Sequence, residues 1–294
     1  MSQPSRNTII DDANTAIGSE GGANSGGFCI NCVTGFKIPG EPKGKMENIN
    51  GINCYVATPS NASSDNEKKA IIYFYDAFGL KLQNNKVIPD RIADASGLTV
   101  YVPDVFNGGG VAESTLAVAP STAADMKSAS IVTKLKTMAG FALATPFFAR
   151  NLPGSKLPGL RKWIDELKSS KGYTRIGGVG YCYGGKLVIC LNASGHIDVS
   201  VANHPSMITK GDIAAIKNPI LFNCAEEDPI FSENYAKQVE KEWSDKGDKP
   251  KHKFKYYPNT VHGFAARPNL GDPQVKEAFE KATAEAVEFW KAHL

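Results

Sequence analysis

The run Val179-Gly180-Tyr181-Cys182-Tyr183-Gly184-Gly185 constrains this chain more than any other segment. A strand-like stretch, Arg175–Val179, leads into it and a helix-like stretch, Lys186–Asn192, leaves it with no linker between them. A reversal that tight leaves no space for side chains where strand and helix cross, so the flanking positions call for glycine. The residue at the apex is held in a strained backbone conformation. It would sit at the C-terminal edge of a sheet and at the positive end of a helix, an environment that favours a thiolate. Gly178-x-Gly180 could also open a dinucleotide-binding loop, but that fingerprint needs a third glycine at 183, which is Tyr183. The plainer alternative is an ordinary turn with Cys182 as a small buried apolar residue.

The surrounding pattern alternates strands with helices. Strands are expected over Ile52–Ala57, Ala70–Tyr75, Thr99–Val102, Arg175–Val179, Asp198–Ala202, Pro219–Cys224 and Lys253–Tyr257. Helical patterns fall near Lys86–Ala95, Thr122–Ala139, Leu160–Ser170, Gly185–Asn192 and Ser232–Asp245. A last helix opens on Asp272-Pro273 and carries Val275, Phe279, Ala282, Ala286 and Trp290 on one face. Such alternation implies an α/β fold, a mostly parallel central sheet with helices on both faces. Its site belongs at the C-terminal strand edge. Residues 1–27, rich in Ser, Gly and Asn, are expected to be a loosely held tail. Residues 28–294 then form one domain, with 28–50 as an irregular strap. Between Gly108 and Gly159 lies an amphipathic helix with Ile131, Val132, Leu135 and Met138 on one face, followed by an apolar segment, Phe141–Pro153, broken by proline. This insertion is read either as a helix packed on the core or as a cap over the pocket.

Composition excludes several classes of function. A formal charge of +3 over 294 residues, with no basic stripe, argues against nucleic acid. No apolar stretch approaches the roughly 20 residues needed to span a bilayer, so no membrane partner is expected. The N-terminus lacks a signal-peptide core and carries Asp11, Asp12 and Glu20, which leaves a cytosolic protein as the expectation. The six cysteines do not form a disulfide scaffold. Cys54, Cys190 and Cys224 read as core. Cys29-Ile-Asn-Cys32 has no second pair to complete a zinc site, so neither a metal nor a cofactor is expected.

A cysteine nucleophile needs a base and a group that orients the base. Behind the elbow, the stretch Leu221–Ala225 opens into Glu226-Glu227-Asp228-Pro229, and Phe254–Tyr257 leads to Thr260-Val261-His262-Gly263-Phe264. Nucleophile, acid and histidine in that order follow the α/β-hydrolase fold. Cys182, Asp228 and His262 are therefore the candidate catalytic set. Glu226 and Glu227 compete with Asp228. His204, in Asn203-His204-Pro205-Ser206, competes with His262 because it too ends a strand, but it precedes the acid.

Gly-Tyr-Cys-Tyr-Gly-Gly, the Glu-Glu-Asp-Pro loop and His-Gly-Phe-Ala-Ala-Arg together resemble the dienelactone hydrolase family. Tyr75-Asp76-Ala77-Phe78-Gly79 and Val102-Pro103-Asp104-Val105-Phe106 resemble further signatures, and Gly40–Pro59 resembles the fungal members. The resemblance runs from about residue 28 to the C-terminus. It implies Cys182, His262 and Asp228 as the triad and the amides of Ala77 and Tyr183 as an oxyanion hole. It implies that Asp76 stands where bacterial members have a glutamate contacting the resting thiol, and that Arg267 is associated with a substrate carboxylate. The chain departs from the bacterial pattern in two ways. Asp76 is one methylene shorter, and no arginine lies between Tyr101 and Ala149, where only Lys127, Lys134 and Lys136 are available. An anionic dienelactone is thus disfavoured. The implied activity is hydrolysis of a small ester or lactone by a monomer or homodimer. A thioesterase or general carboxylesterase, or a non-catalytic binding member, are the alternatives.

Overall fold

The computed structural model describes residues 37–62, 66–116 and 119–294. The expected tail, most of the strap and the Cys29/Cys32 pair lie outside the described residues. Eight strands form one sheet in the order β1-β2-β4-β3-β5-β6-β7-β8. They are β1 (Lys45–Ile49), β2 (Ile52–Ala57), β3 (Lys69–Phe74), β4 (Thr99–Pro103), β5 (Arg175–Tyr181), β6 (Val199–Asn203), β7 (Ile220–Glu227) and β8 (His252–Val261). Strands β3 to β8 run parallel, whereas β2 is antiparallel to both β1 and β4. This is the mostly parallel sheet of the α/β-hydrolase fold.

Helices α1 (Asn84–Ser96), α4 (Pro153–Lys171), α5 (Tyr183–Ala193), α6 (Lys210–Ala214), α7 (Glu233–Lys246) and α8 (Pro273–His293) cover the sheet. Two adjacent glycines show that both faces are covered. A Cβ on Gly177 would lie 3.2 Å from Trp290 of α8, and one on Gly178 would lie 2.7 Å from Val188 of α5. Neighbouring strand residues point to opposite faces, so α5 and α8 flank the centre of β5 from either side. At Gly178 a side chain would force its neighbours to shift, and at Gly177 it would be a tight fit. The strands are buried on both faces, which accounts for runs such as Ala70–Phe74, where every residue is in the core.

The chain differs from the sequence expectation in three places. Residues 45–49 form β1 rather than part of an irregular strap. Asn50 and Gly51 both have positive φ, 49° and 84°, and make a two-residue hairpin turn into β2. An Asn-Gly pair is the strongest short-range hairpin signal, so this strand was legible and overlooked. The helical pattern at 122–139 is two helices, α2 (Ala123–Ser128) and α3 (Ile131–Arg150). The side chains of Thr122 and Ser130 cap their N-termini. Helix α3 continues through Pro146 instead of breaking at it. The third difference is Cys190, which is only partly buried and whose thiol donates to Asp212 Oδ1 at 3.5 Å. Cys54 and Cys224 are core, as expected. Among the described residues, no helix is long and apolar enough to cross a membrane.

Candidate active site

The turns after β3, β5, β7 and β8 bring Asp76, Cys182, Asp228 and His262 to the C-terminal edge of the sheet. At the elbow Cys182 adopts φ 50°, ψ −110°, a conformation that costs a non-glycine residue about 1–3 kcal/mol. Surrounding contacts enforce it. Cys182 N–H donates to Asn203 O at 3.2 Å, while its own carbonyl accepts from Gly185 and Ser206, each at 3.0 Å. The glycines are sterically required. A Cβ on Gly180 would overlap the Gly184 carbonyl, and one on Gly184 would overlap the Phe74 carbonyl. One on Gly185 would lie 2.7 Å from Pro205 Cβ.

Asp228 and His262 are brought together directly. His262 Nδ1 lies 2.8 Å from Asp228 Oδ2, and Asp228 Oδ1 accepts from the amides of Ile230 at 2.8 Å and Phe231 at 3.0 Å. Burial alone would raise the Asp228 pKa, but His262 and these amides outweigh it and hold the carboxyl below its usual range. Burial likewise works against charge on His262. Attraction to Asp228, and then to Cys182, overrides it and raises the imidazole to about 10. His262 Nε2 is buried with no hydrogen-bond partner among the described residues, although Cys182 is among the groups that raise the imidazole's pKa. Bonds at such sites often tighten only when substrate arrives.

The amides of Ala77 and Tyr183 also have no partner among the described residues. The neighbouring amides are occupied: Phe78 N–H donates to Asp76 Oδ1 at 3.1 Å, and Gly184 N–H to Tyr75 O at 3.1 Å. These two free donors flank the loops that carry Asp76 and Cys182.

Asp76 and Cys182 are not brought into contact. Asp76 is buried, with Oδ1 accepting from Phe78 N–H and from Asn85 Nδ2 at 3.0 Å, and Oδ2 lying 3.5 Å from Arg267 Nε. Burial raises its pKa, and Arg267 and these donors only partly offset that. The thiol of Cys182 instead meets Ser206 Oγ at 3.6 Å. Arg267 faces Asp76 and lies over the Phe78 ring at 4.3 Å, and its buried Nε has no hydrogen-bond partner among the described residues.

His204 is fully buried, and its ring centroid lies 5.0 Å from that of His262. Neither of its nitrogens has a partner among the described residues. Burial, reinforced by charge on His262, drives its pKa well below the ordinary histidine value, so the ring is neutral. The pairing of His262 with Asp228 distinguishes the two histidines. Asn85 and Ser206 were not singled out from sequence. Ser206 was within reach, because it ends the Asn203–Ser206 stretch that drew attention to His204. Asn85 had no signal, being one polar residue inside a helical pattern. No group of His, Cys, Asp and Glu among the described residues is arranged to hold a metal ion.

Residues 121–151 sit beside this edge. Lys127 of α2 pairs with Glu226 and Glu227, and Ala124 N–H donates to Asn259 Oδ1. At the far end, Phe147 packs edge-on against Phe106 at 4.8 Å, and Phe106 against Tyr183 at 4.9 Å. The Tyr183 hydroxyl donates to Asn151 O at 2.8 Å.

Residues 52–294 match the model of the dienelactone hydrolase family. The chain belongs to that family. It is 29% identical over 263 residues to the hydrolase pyvD of Aspergillus violaceofuscus, covering 90% of this chain and 96% of that protein. It is 28% identical over 268 residues to dienlactone hydrolase 1 of Gibberella moniliformis, covering 89% and 93%. A solved structure of a putative dienelactone hydrolase from Klebsiella pneumoniae superposes with a TM-score of 0.59 at 15% identity, over 85% of this chain and 98% of that one. An α/β serine hydrolase without lid from Xanthomonas campestris gives 0.50 at 12% identity, over 86% and 97%. At such low identities these structures bear on the fold alone. This dienelactone hydrolase family member therefore has the fold expected from its elbow.

Proposed function

We propose that the protein is a cysteine-dependent hydrolase of small esters or lactones, with Cys182 as nucleophile, His262 as acid and base, and Asp228 as the group that orients His262. The observation that carries this reading is the strained Cys182 between the two unpartnered amides of Ala77 and Tyr183, on the same sheet edge as a histidine bonded to a buried carboxylate. A buried donor without a partner costs free energy. Two such donors near one thiol fit a site that waits for an oxyanion.

In the first half-reaction Cys182 sulfur attacks the carbonyl carbon. The displaced π electrons settle on the oxygen, held by the two amides. The intermediate collapses, the C–O bond breaks, and the leaving oxygen takes the proton from His262 Nε2. A thioester on Cys182 remains. Acylation removes the thiolate charge, which is one of the two interactions that raise the His262 pKa. The imidazole then becomes the stronger acid and is more readily neutral, as its second task requires. It takes a proton from water, the hydroxide attacks the thioester carbonyl, and the thiolate leaves beside a restored imidazolium. Asp228 keeps Nδ1 protonated throughout.

Because Asp76 offsets part of the Arg267 charge and no second arginine lies between Tyr101 and Ala149, we favour neutral esters and lactones over anionic ones. Half-buried Phe147, packed on Phe106 beside the elbow, offers the acyl or aryl part an apolar contact. Steady-state rates on p-nitrophenyl acetate, an acyl thioester and an anionic dienelactone, compared for the wild type and Cys182→Ala, test the reading. Cys182-dependent turnover of the neutral ester is expected. Equal rates in both proteins would remove the nucleophile from this account.

A further inference from the structure

Helix α3 is amphipathic in the wrong sense for a helix packed on a core. Its large apolar residues face outward: Ile131 is 75% exposed, Leu135 59%, Met138 66% and Leu143 78%. Towards its N-terminus the face turned to the protein is small and polar, with Gly140 and Ala144 buried and Thr133 and Thr137 half-buried, and only at its C-terminal end do Phe147 and Phe148 pack on the core. At 3.6 residues per turn, Ile131, Val132, Leu135, Met138 and Leu143 fall on one arc. Lys134 and Lys136 fall at its two borders. The helix carries three cations (Lys134, Lys136 and Arg150) and no carboxylate in its 20 residues. Loop residues Met207 and Ile230, 40% and 41% exposed, follow β6 and β7 at the same C-terminal edge as the catalytic candidates. The largest exposed apolar side chains thus gather almost entirely on the side of the molecule that bears the site.

We propose that α3 is an interfacial helix that lays the site-bearing edge of the protein on the surface of an anionic lipid bilayer. An apolar arc bordered by lysines matches that environment, the arc entering the acyl boundary and the ammonium groups meeting lipid phosphates. Lying on a membrane differs physically from crossing one, so the lack of a spanning helix among the described residues does not bear on it. Charge argues against a second copy as the occupant. In a two-fold contact between α3 helices the same lysine-bordered faces would meet, like charge against like. The position of α3 gives the docking a consequence. Its C-terminal end reaches the site through Phe147, Phe106 and Tyr183, so bound protein would present that edge to lipid-dissolved substrate. The docking itself does not depend on the catalytic reading.

Sedimentation of the full-length protein with lipid vesicles tests the proposal. The probes are phosphatidylcholine vesicles and vesicles in which about one lipid in three is phosphatidylglycerol, the anionic surface that polybasic segments respond to. The wild type should bind the anionic vesicles and be released by high salt. Leu135→Asp with Met138→Asp should abolish binding while leaving the melting temperature and soluble-ester turnover unchanged, since both side chains are exposed. Lys134→Gln with Lys136→Gln should weaken binding about 30-fold, from roughly 1 kcal/mol for each lysine near the surface. Three results would overturn the proposal. One is no binding to either vesicle. A second is a wild-type dimer that Leu135→Asp dissociates, which would assign the face to a second copy. The third is binding that appears only after deletion of residues 1–36, which would assign it to the chain's own N-terminal segment.

Discussion

The elbow and the α2–α3 segment lie at the same end of the molecule and were specified in opposite ways. Around Cys182 the backbone groups other than the Tyr183 amide are committed, and the glycines at 180, 184 and 185 are the residues that fit. Along the N-terminal part of α3 the apolar residues also share one face, yet that face meets no core. Periodicity indicates that a helix forms and which residues share a face; it does not indicate what that face touches. Steric exclusion at a turn needs only the local chain, whereas burial needs a partner elsewhere.

The two regions should therefore respond differently to substitution. Cys182→Ala is expected to lower ester hydrolysis by several orders of magnitude with a nearly unchanged melting temperature, because removing one part-buried sulfur costs little packing. A residual rate close to wild type would break the comparison at its centre. Asp228→Asn should cost about 10²- to 10⁴-fold in kcat, since the amide no longer holds the correct imidazole tautomer. The same substitution bears on pH. The folded-state pKa of His262 is raised to about 10 from 6.5, so the folded protein holds an extra proton between those values. Its stabilising contribution is complete below about 6.5 and is lost as the pH rises through about 10. Urea unfolding of the wild type should show stability falling across that window, and Asp228→Asn should flatten the fall. An identical slope in both proteins would remove the coupling.

Gly184→Ala should destabilise by about 3 kcal/mol or more, because the added methyl overlaps a buried backbone carbonyl that has nowhere to move. Chemical denaturation reads this directly, and a well-folded variant would show the elbow to be less crowded than described. Asp76→Asn should cost about 1–3 kcal/mol by leaving Arg267 without its counter-ion. The pH profile of iodoacetamide alkylation should stay unchanged, because the thiol meets Ser206 and not Asp76. A shifted profile would restore Asp76 as a gate on the thiol. The smallest effect belongs to α3, where Leu135→Ala should change the unfolding free energy by less than about 0.5 kcal/mol.

Most of the sheet was legible because a strand buried on both faces reads as a continuous apolar run bounded by turn residues. The exception, β1, is largely exposed, so hydrophobicity could not mark it, and its only signal was the Asn50-Gly51 turn. The candidate residues Cys182, Asp228 and His262 were legible because each closes a strand at the same sheet edge. The partners of Asp76 were not. Arg267 lies 191 residues away in sequence and Asn85 on a helix, and only the fold brings them together. Pro146 misled for a related reason. A proline removes one intrahelical bond, but a helix already supported on both sides of it can carry that loss.

The central claim is a covalent acyl group on Cys182. Rapid acid quenching of the enzyme with excess p-nitrophenyl acetate, followed by intact-mass and peptide mass spectrometry, tests it most directly. One acetyl group per chain is expected on the peptide bearing Cys182, decaying at the turnover rate and persisting longer in His262→Ala. Steady hydrolysis with no adduct, or an adduct on any other residue, would contradict it.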